Sequence, residues 1–144
     1  MKIRDLLCGK GTAVATIQPE ATLHDAMAAL VNLRIGSLVV TNTEGRMIGI
    51  ITERDLLREC ALHNEQITQT RVGEIMTTHL IIGVPDDEVS YVMGVMTHNR
   101  IRHLPIVSGD HHLEGIISIG DVVKAQLDEV AVENRYLRDY IQGQ

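Results

Sequence analysis

The sequence predicts an α/β fold of the α+β type, made of two tandem copies of one small unit. Three observations carry this expectation: an internal repeat at a spacing of 66 residues, the same order of helix-like and strand-like patterns in each copy, and an almost wholly aliphatic apolar complement. Positions 14–58 align with 80–124 without a gap. Pro19 falls on Pro85, Met27 on Met93, and Arg34, Ile35 and Leu38 on Arg100, Ile101 and Leu104. Gly49, Ile50, Ile51 and Asp55 fall on Gly115, Ile116, Ile117 and Asp121, which makes nine identities in 45 positions. Unrelated chains of ordinary composition would share about three.

Each copy justifies its elements in the same order. Short extended segments at 14–17 and 80–83 come first. A helix then begins after Pro19, with Thr22 as its cap and Asp25 at capping-box spacing, and Ala26, Met27, Leu30 and Leu33 form its apolar stripe. The matching helix is expected from Asp86 or Asp87 through Val89, Val92, Met93 and Met96. Strands follow at 37–41 and 103–107, rich in Val, Ile and Leu. Turn residues at 42–45 and 108–112 lead into second strands at 47–51 and 113–117. The closing helix starts at Thr52 or Ser118 and is expected to reach about Ala61 or Leu127.

One unit alone leaves a sheet face and two helix faces uncovered, so two must pack together. The polar connector 62–72 carries the chain across, and the two lead-ins match as well: Ile3, Asp5, Leu6 and Leu7 resemble Val72, Glu74, Ile75 and Met76. The division expected is 1–61 for the first repeat with its lead-in, 62–71 for the linker, 72–127 for the second repeat and 128–144 for a charged helical tail. In that tail Val130, Leu137 and Ile141 lie near one face.

The 144 residues are 44% hydrophobic and 22% charged, which favours an ordered domain over disorder. Tyr91, Tyr136 and Tyr140 are the only aromatic residues, and the net charge is −6. Stacking platforms and a general basic surface are therefore missing, so no nucleic-acid partner is expected. No stretch has the length of a signal peptide core or a membrane span, and Cys8 and Cys60 lack a CxxC partner. A cytoplasmic chain with reduced thiols and no membrane association is the expectation. The seven histidines show neither HExxH nor zinc spacing, so no metal is expected; no hydrolase or phosphate-loop signature supports catalysis.

The sharpest feature is the doubled string GIITERD (49–55) and GIISIGD (115–121). One reading is purely structural: Thr52–Asp55 and Ser118–Asp121 cap a helix. A second adds chemistry. A helix N-terminus favours phosphate, and a carboxylate beside it can accept both hydroxyls of a ribose.

These strings, with IRHLPIV at 101–107 and VGEIMT at 72–77, resemble the cystathionine-β-synthase (CBS) domain pair, or Bateman module, of the small bacterial and organellar type. The resemblance covers about residues 3–127. It implies two β-α-β-β-α units related by pseudo-twofold symmetry, association into a homodimeric disc, and clefts that bind AMP, ADP, ATP, NAD(H) or S-adenosylmethionine. Carried over by position, it implies Asp55 and Asp121 as ribose ligands, with Thr52 and Ser118 at ribose or phosphate oxygens. The segments 14–17 and 80–83, including Thr16, Ile81 and Ile82, would line the base. Ser37 to Val39 and His103 to Pro105 would form the other wall.

The copies diverge where charge is concerned. Glu53 and Arg54 stand where the second has Ile119 and Gly120, and Arg102 and His103 stand where the first has Gly36 and Ser37. The two sites are thus expected to differ, with Arg54 and Arg102, then His103, as contacts to an anionic group. Each is equally readable as a solvated or ion-paired surface cation. The Asp121 cleft is expected to rank first, because Gly120 permits close backbone approach. The function expected is a non-catalytic adenine-nucleotide sensor, AMP or NAD(H) foremost, acting on an unknown target protein. The alternative is a constitutive dimeric scaffold that docks a partner, such as a redox protein, through its helices and tail. Dimerisation is expected because Val92, Met93, Val95 and Met96 span more than a single stripe.

Overall fold

The computed structural model describes residues 1–11 and 13–143. Residue 12 in the predicted lead-in and residue 144 at the end of the predicted tail lie outside the described residues.

Two small sheets form the middle of the molecule. In the first, β1 (Thr16–Ile17) runs parallel to β2 (Ser37–Thr41), which pairs antiparallel with β3 (Met47–Thr52). The second is the hairpin of β4 (His103–Ser108) and β5 (His112–Ser118). The segment matching β1 makes only a bridge, Gly83 with Ile106. Register is the same in both copies: Ser37 lies opposite Thr52 and His103 opposite Ser118, and the pairing shifts at Val40/Thr41 and at Ile106/Val107. A bulge at equivalent places bends both hairpins alike.

The helices begin and end as local chemistry dictates. Thr22 caps α2 (Leu23–Leu33), Thr52 caps α3 (Glu53–His63) and Ser118 caps α6 (Ile119–Gln142), each with an Asp at the third position completing a capping box. The start of α5 (Val89–Asn99) differs from expectation. Its N-cap is Glu88, without a side-chain bond, because the Asp87 carboxylate instead accepts from the Val84 N–H at 2.9 Å. Arginine ends both first helices in a left-handed conformation, Arg34 and Arg100, each at φ 55°. The next residue closes a Schellman-type turn, Ile35 N–H to the Leu30 carbonyl and Ile101 N–H to the Met96 carbonyl.

Three apolar clusters hold these elements. Leu38, Val40 and Ile51 pack under α2 and α3 with Leu23, Ala26, Leu30 and Leu56. Leu104, Ile106 and Ile117 pack with Val89, Val92, Met96, Val122 and Ala125. The opposite faces of the two sheets meet each other through Val39, Met47 and Val107, with Ile50, Ile82 and Ile116 around them. β2 is buried throughout because it faces a core on each side.

The lead-ins are exchanged between halves. α1 (Ile3–Lys10) docks on the second repeat, with Ile3 N–H donating to the Asp87 carbonyl and Arg4 N–H to that of Pro85, both at 2.9 Å. α4 (Val72–Ile75) docks on the first in the same way, Val72 N–H to Ala21 and Gly73 N–H to Pro19. Each repeat therefore completes its core with apolar residues from the lead-in of the other repeat, Ile3 and Leu7 on one side and Val72 on the other.

Two expectations need correction. The closing helix of the second repeat does not stop near Leu127: α6 continues to Gln142 with no Gly or Pro between Gly120 and Gly143 to break it. Nor do Val92, Met93, Val95 and Met96 leave an apolar surplus, since Val92 and Met96 are buried and Met93 and Val95 pack partly buried on the same core. Exposed aliphatics lie elsewhere, among them Val31, Leu33 and Leu57.

Candidate functional site

A cleft of about 670 Å³ lies between the repeats. The first repeat supplies Thr52, Glu53, Arg54 and Asp55 from the β3–α3 junction. The second supplies Arg100, Ile101, Arg102, His103 and Pro105 from the α5–β4 junction, with Ser118 and Ile119 behind. His79, Leu80 and Ile81 form one side, and Met47 and Ile50 contribute apolar surface.

The junctions are built identically. Glu53 N–H donates to the Gly36 carbonyl at 3.0 Å, and Ile119 N–H to that of Arg102 at 2.8 Å, so each closing helix is pinned to the start of its own hairpin. Asp55 Oδ2 accepts from the Thr52 N–H and hydroxyl, both at 3.0 Å, and the Asp55 N–H returns to Thr52 Oγ1 at 3.3 Å. These bonds already satisfy two of the first-turn amides of α3. Anion binding here consequently falls chiefly to side-chain cations rather than to bare amides.

The charged side chains of the cleft are the guanidinium groups of Arg54, Arg100 and Arg102 and the carboxylates of Glu53 and Asp55. None of Arg54, Arg100 and Arg102 forms an ion pair among the described residues. The second Asp55 oxygen has only Arg58, at 3.9 Å. His103 is held below the usual histidine range by burial, then by Lys10 and Arg102, with Asp121 and Glu53 offsetting part of the effect. A neutral imidazole beside three unpaired arginines suits an anionic ligand that can also use an apolar wall and a carboxylate.

Of the residues singled out in the sequence, Thr52, Arg54, Asp55, Ser118, Ile119, Arg102, His103, Pro105 and Ile81 line this cleft. The others lie outside it. Thr16 is exposed on β1 opposite Val39, Ser37 is buried across from Thr52, and Ile82 is packed between the sheets. Gly120 is exposed in the first turn of α6. Asp121 is engaged by Lys10, whose Nζ bonds both its Oδ2 and the Ile116 carbonyl. Partial burial pushes the Asp121 carboxyl up, but the hydrogen bonds from Lys10 and Ser118 together outweigh it and leave it below its ordinary value. Sequence reasoning missed His79 and Arg100. Arg100 was visible as one of the repeat's identities, and His79 stands in the second lead-in where Lys10 stands in the first.

Among the described residues no cluster of His, Cys, Asp and Glu could hold a metal ion, and no helix is long and apolar enough to cross a membrane.

A two-repeat fold with matched hairpins, exchanged lead-ins and a cleft at the helix caps defines a class, and comparison with known proteins identifies it. The CBS domain family matches residues 4–62 and 72–128, and the chain belongs to that family. It is 40% identical over 126 residues to the mitochondrial CBS domain-containing protein CBSX3 of Arabidopsis thaliana, covering 85% of this chain. The aligned region spans 61% of that relative's length. The crystal structure of the CBS-domain-containing protein ATU1752 from Agrobacterium tumefaciens superimposes with a TM-score of 0.81 at 37% identity, over 88% of this chain and 99% of that one. CBSX2, crystallised in complex with AMP, shares the fold with a TM-score of 0.76 at 23% identity, over 88% and 96% of the two chains.

Proposed function

We propose that this CBS pair is a non-catalytic sensor of a phosphate-bearing adenosine ligand, AMP foremost, bound in the cleft beside Asp55. The observation that carries the reading is that Arg54, Arg100 and Arg102, none of them ion-paired among the described residues, line one cleft with the Thr52–Asp55 cap. Its volume, about 670 Å³, falls in the range of small-molecule sites, roughly 300–1,000 Å³. Asp55 would accept the ribose hydroxyls, the arginines and His103 would meet the phosphate, and Ile50 and Ile81 would flank the base. Three cations against the carboxylates of Glu53 and Asp55 leave a positive balance that favours a phosphate over the sulfonium of S-adenosylmethionine. ADP, ATP and NAD(H) carry the same groups and compete for the same assignment. The order of the two clefts is thereby reversed from the sequence expectation, since Lys10 occupies the Asp121 carboxylate.

Sensing requires a ligand to favour one packing over another. The exposed Val31, Leu33 and Leu57 on α2 and α3 support a homodimer in which that packing could change. They equally favour the second reading, a constitutive scaffold for a target protein.

Calorimetry and thermal shift with AMP, ADP, ATP, NAD, NADH and S-adenosylmethionine test the assignment on the wild type, Asp55→Ala and Asp121→Ala. A ligand at 100 times its Kd should stabilise by about 2.7 kcal/mol. Loss in Asp55→Ala with retention in Asp121→Ala is expected. If no nucleotide stabilises the wild type, the sensor reading falls and the scaffold reading stands.

A further inference from the structure

α6 is far longer than its counterpart. By the repeat spacing, the end of α3 at His63 corresponds to position 129 (63 plus 66), yet α6 runs on to Gln142, 13 residues further and about 20 Å along its axis. Every residue from 127 to 143 is exposed. An unsupported helix of this length is marginal in water, so an apolar face on it calls for a partner.

The face is regular. Val123, Leu127, Val130, Leu137 and Ile141 are all exposed, from 43% to 72%. With Asn134 in the one gap, their spacing is 4-3-4-3-4, the 3.5-residue period of a two-helix seam. Leu127, Asn134 and Ile141 occupy the a positions and Val123, Val130 and Leu137 the d positions, while Val132 and Tyr136 stay on the outer side.

We infer that this overhang pairs in parallel with the same helix of a second copy of the chain. Two features choose that occupant and that orientation. In a parallel pair Asn134 meets its own equivalent and each amide can satisfy the other; in an antiparallel pair it would face an apolar d residue. Charge agrees. Glu133 at g lies five residues before Arg138 at e, so a parallel pair sets Glu133 against the partner's Arg138 on both sides, whereas an antiparallel pair sets the cationic e residues Lys124 and Arg138 against each other. The overhang, residues 130–142, is neutral on balance, with Glu133 and Asp139 against Arg135 and Arg138, so it lacks the cationic face that a lipid surface would favour.

This inference deepens the homodimer reading, and the test separates the two. In full-length chain carrying Cys8→Ser and Cys60→Ser, Asn134→Cys should give a disulfide-linked dimer under mild oxidation and Tyr136→Cys should not. Glu133→Arg should weaken self-association about tenfold by sedimentation equilibrium, and adding Arg138→Glu should restore it. Equal linkage at both positions, or no rescue by the second reversal, overturns the seam. If a dimer persists in that case, the globular interface stands without it. A monomer at all concentrations removes both.

Discussion

Lys10 Nζ bonds the carboxylate of Asp121 and, at 2.7 Å, the carbonyl of Ile116. Its counterpart in the second lead-in, His79, lines the open cleft on the Asp55 side. The exchange of lead-ins therefore places a long cation on Asp121 and a shorter imidazole in the cleft beside Asp55. Lys10→Ala should release Asp121 and raise the nucleotide stoichiometry from one toward two per chain. It should also cost roughly 0.5–1.5 kcal/mol of stability near pH 7. The Asp121 carboxyl is depressed in the folded state, so its contribution is present above the unfolded value near 3.8 and lost as pH falls through the lower folded value. The mutant's acid unfolding curve should be flatter in that window. Calorimetric stoichiometry and denaturation at several pH values check both.

His103 titrates in the opposite chemical sense but with the same slope. Burial and the neighbouring Lys10 and Arg102 hold it below 6.5 in the folded chain, so the unfolded chain binds more protons between the two values. Its contribution to stability is full above about pH 6.5 and is lost as pH falls through the folded value. Urea unfolding should show stability declining from pH 7 to pH 5, and His103→Gln should flatten that decline. A bound phosphate would raise the imidazole pKa while the phosphate's own second ionisation, about pH 6, works the other way, so the wild type should take up more protons on binding AMP than His103→Gln does. Equal proton uptake in the two proteins, measured by calorimetry in buffers of different ionisation enthalpy, would separate His103 from the phosphate.

Arg34 and Arg100 share a left-handed backbone but differ in surroundings. Both close their helices at φ 55°, where a side chain costs about 1 kcal/mol relative to glycine, yet only Arg100 lines the cleft. Arg34→Gly should raise Tm by about 3–5 °C and leave nucleotide affinity unchanged. Arg100→Gly should raise it similarly while weakening AMP binding about tenfold, the loss of one charge-assisted contact. Stability and binding measured on both variants separate backbone relief from ligand contact. Equal affinity in the two would show that Arg100 does not touch the ligand.

What the sequence made legible was what is local or written twice. The capping boxes at Thr22, Thr52 and Ser118 involve residues three apart, and both hairpins follow from runs of Val, Ile and Leu bounded by turns. The lead-in exchange was not legible, because nothing in Leu7 or Met76 says which repeat each will cover. The unequal surroundings of Asp55 and Asp121 depended on that exchange: Lys10 is 111 residues from Asp121, and no pattern within either repeat pairs them. The continuity of α6 could have been read, since no breaker stands between Gly120 and Gly143. Arg100 was hidden by its equivalence to Arg34, which suggests a shared structural role and conceals a different environment.

The exchange itself makes a graded prediction at two glycines. Gly49 and Gly115 are equivalent positions on β3 and β5, and neither needs a positive φ. Both are small because a lead-in crosses them: an added Cβ would lie 2.6 Å from Met76 Sδ at Gly49 and 2.6 Å from Leu7 Cδ2 at Gly115. The obstacles differ in kind. At Gly115 the three nearest atoms all belong to the Leu7 side chain, which can turn aside. At Gly49 the Thr77 carbonyl oxygen also stands at 3.1 Å, and the Thr77 backbone exchanges two hydrogen bonds with Ile50, at 2.9 and 3.0 Å. Gly49→Ala must shift that bridge, and with it the strand beside the cleft. It should cost about 2–3 kcal/mol against about 1 for Gly115→Ala. Only Gly49→Ala should also weaken nucleotide binding, because Ile50 and Thr77 both line the Asp55 cleft. Urea unfolding and calorimetry on the pair read the order directly, and a larger cost at Gly115 would mean that the second lead-in is held less firmly than its backbone bonds imply.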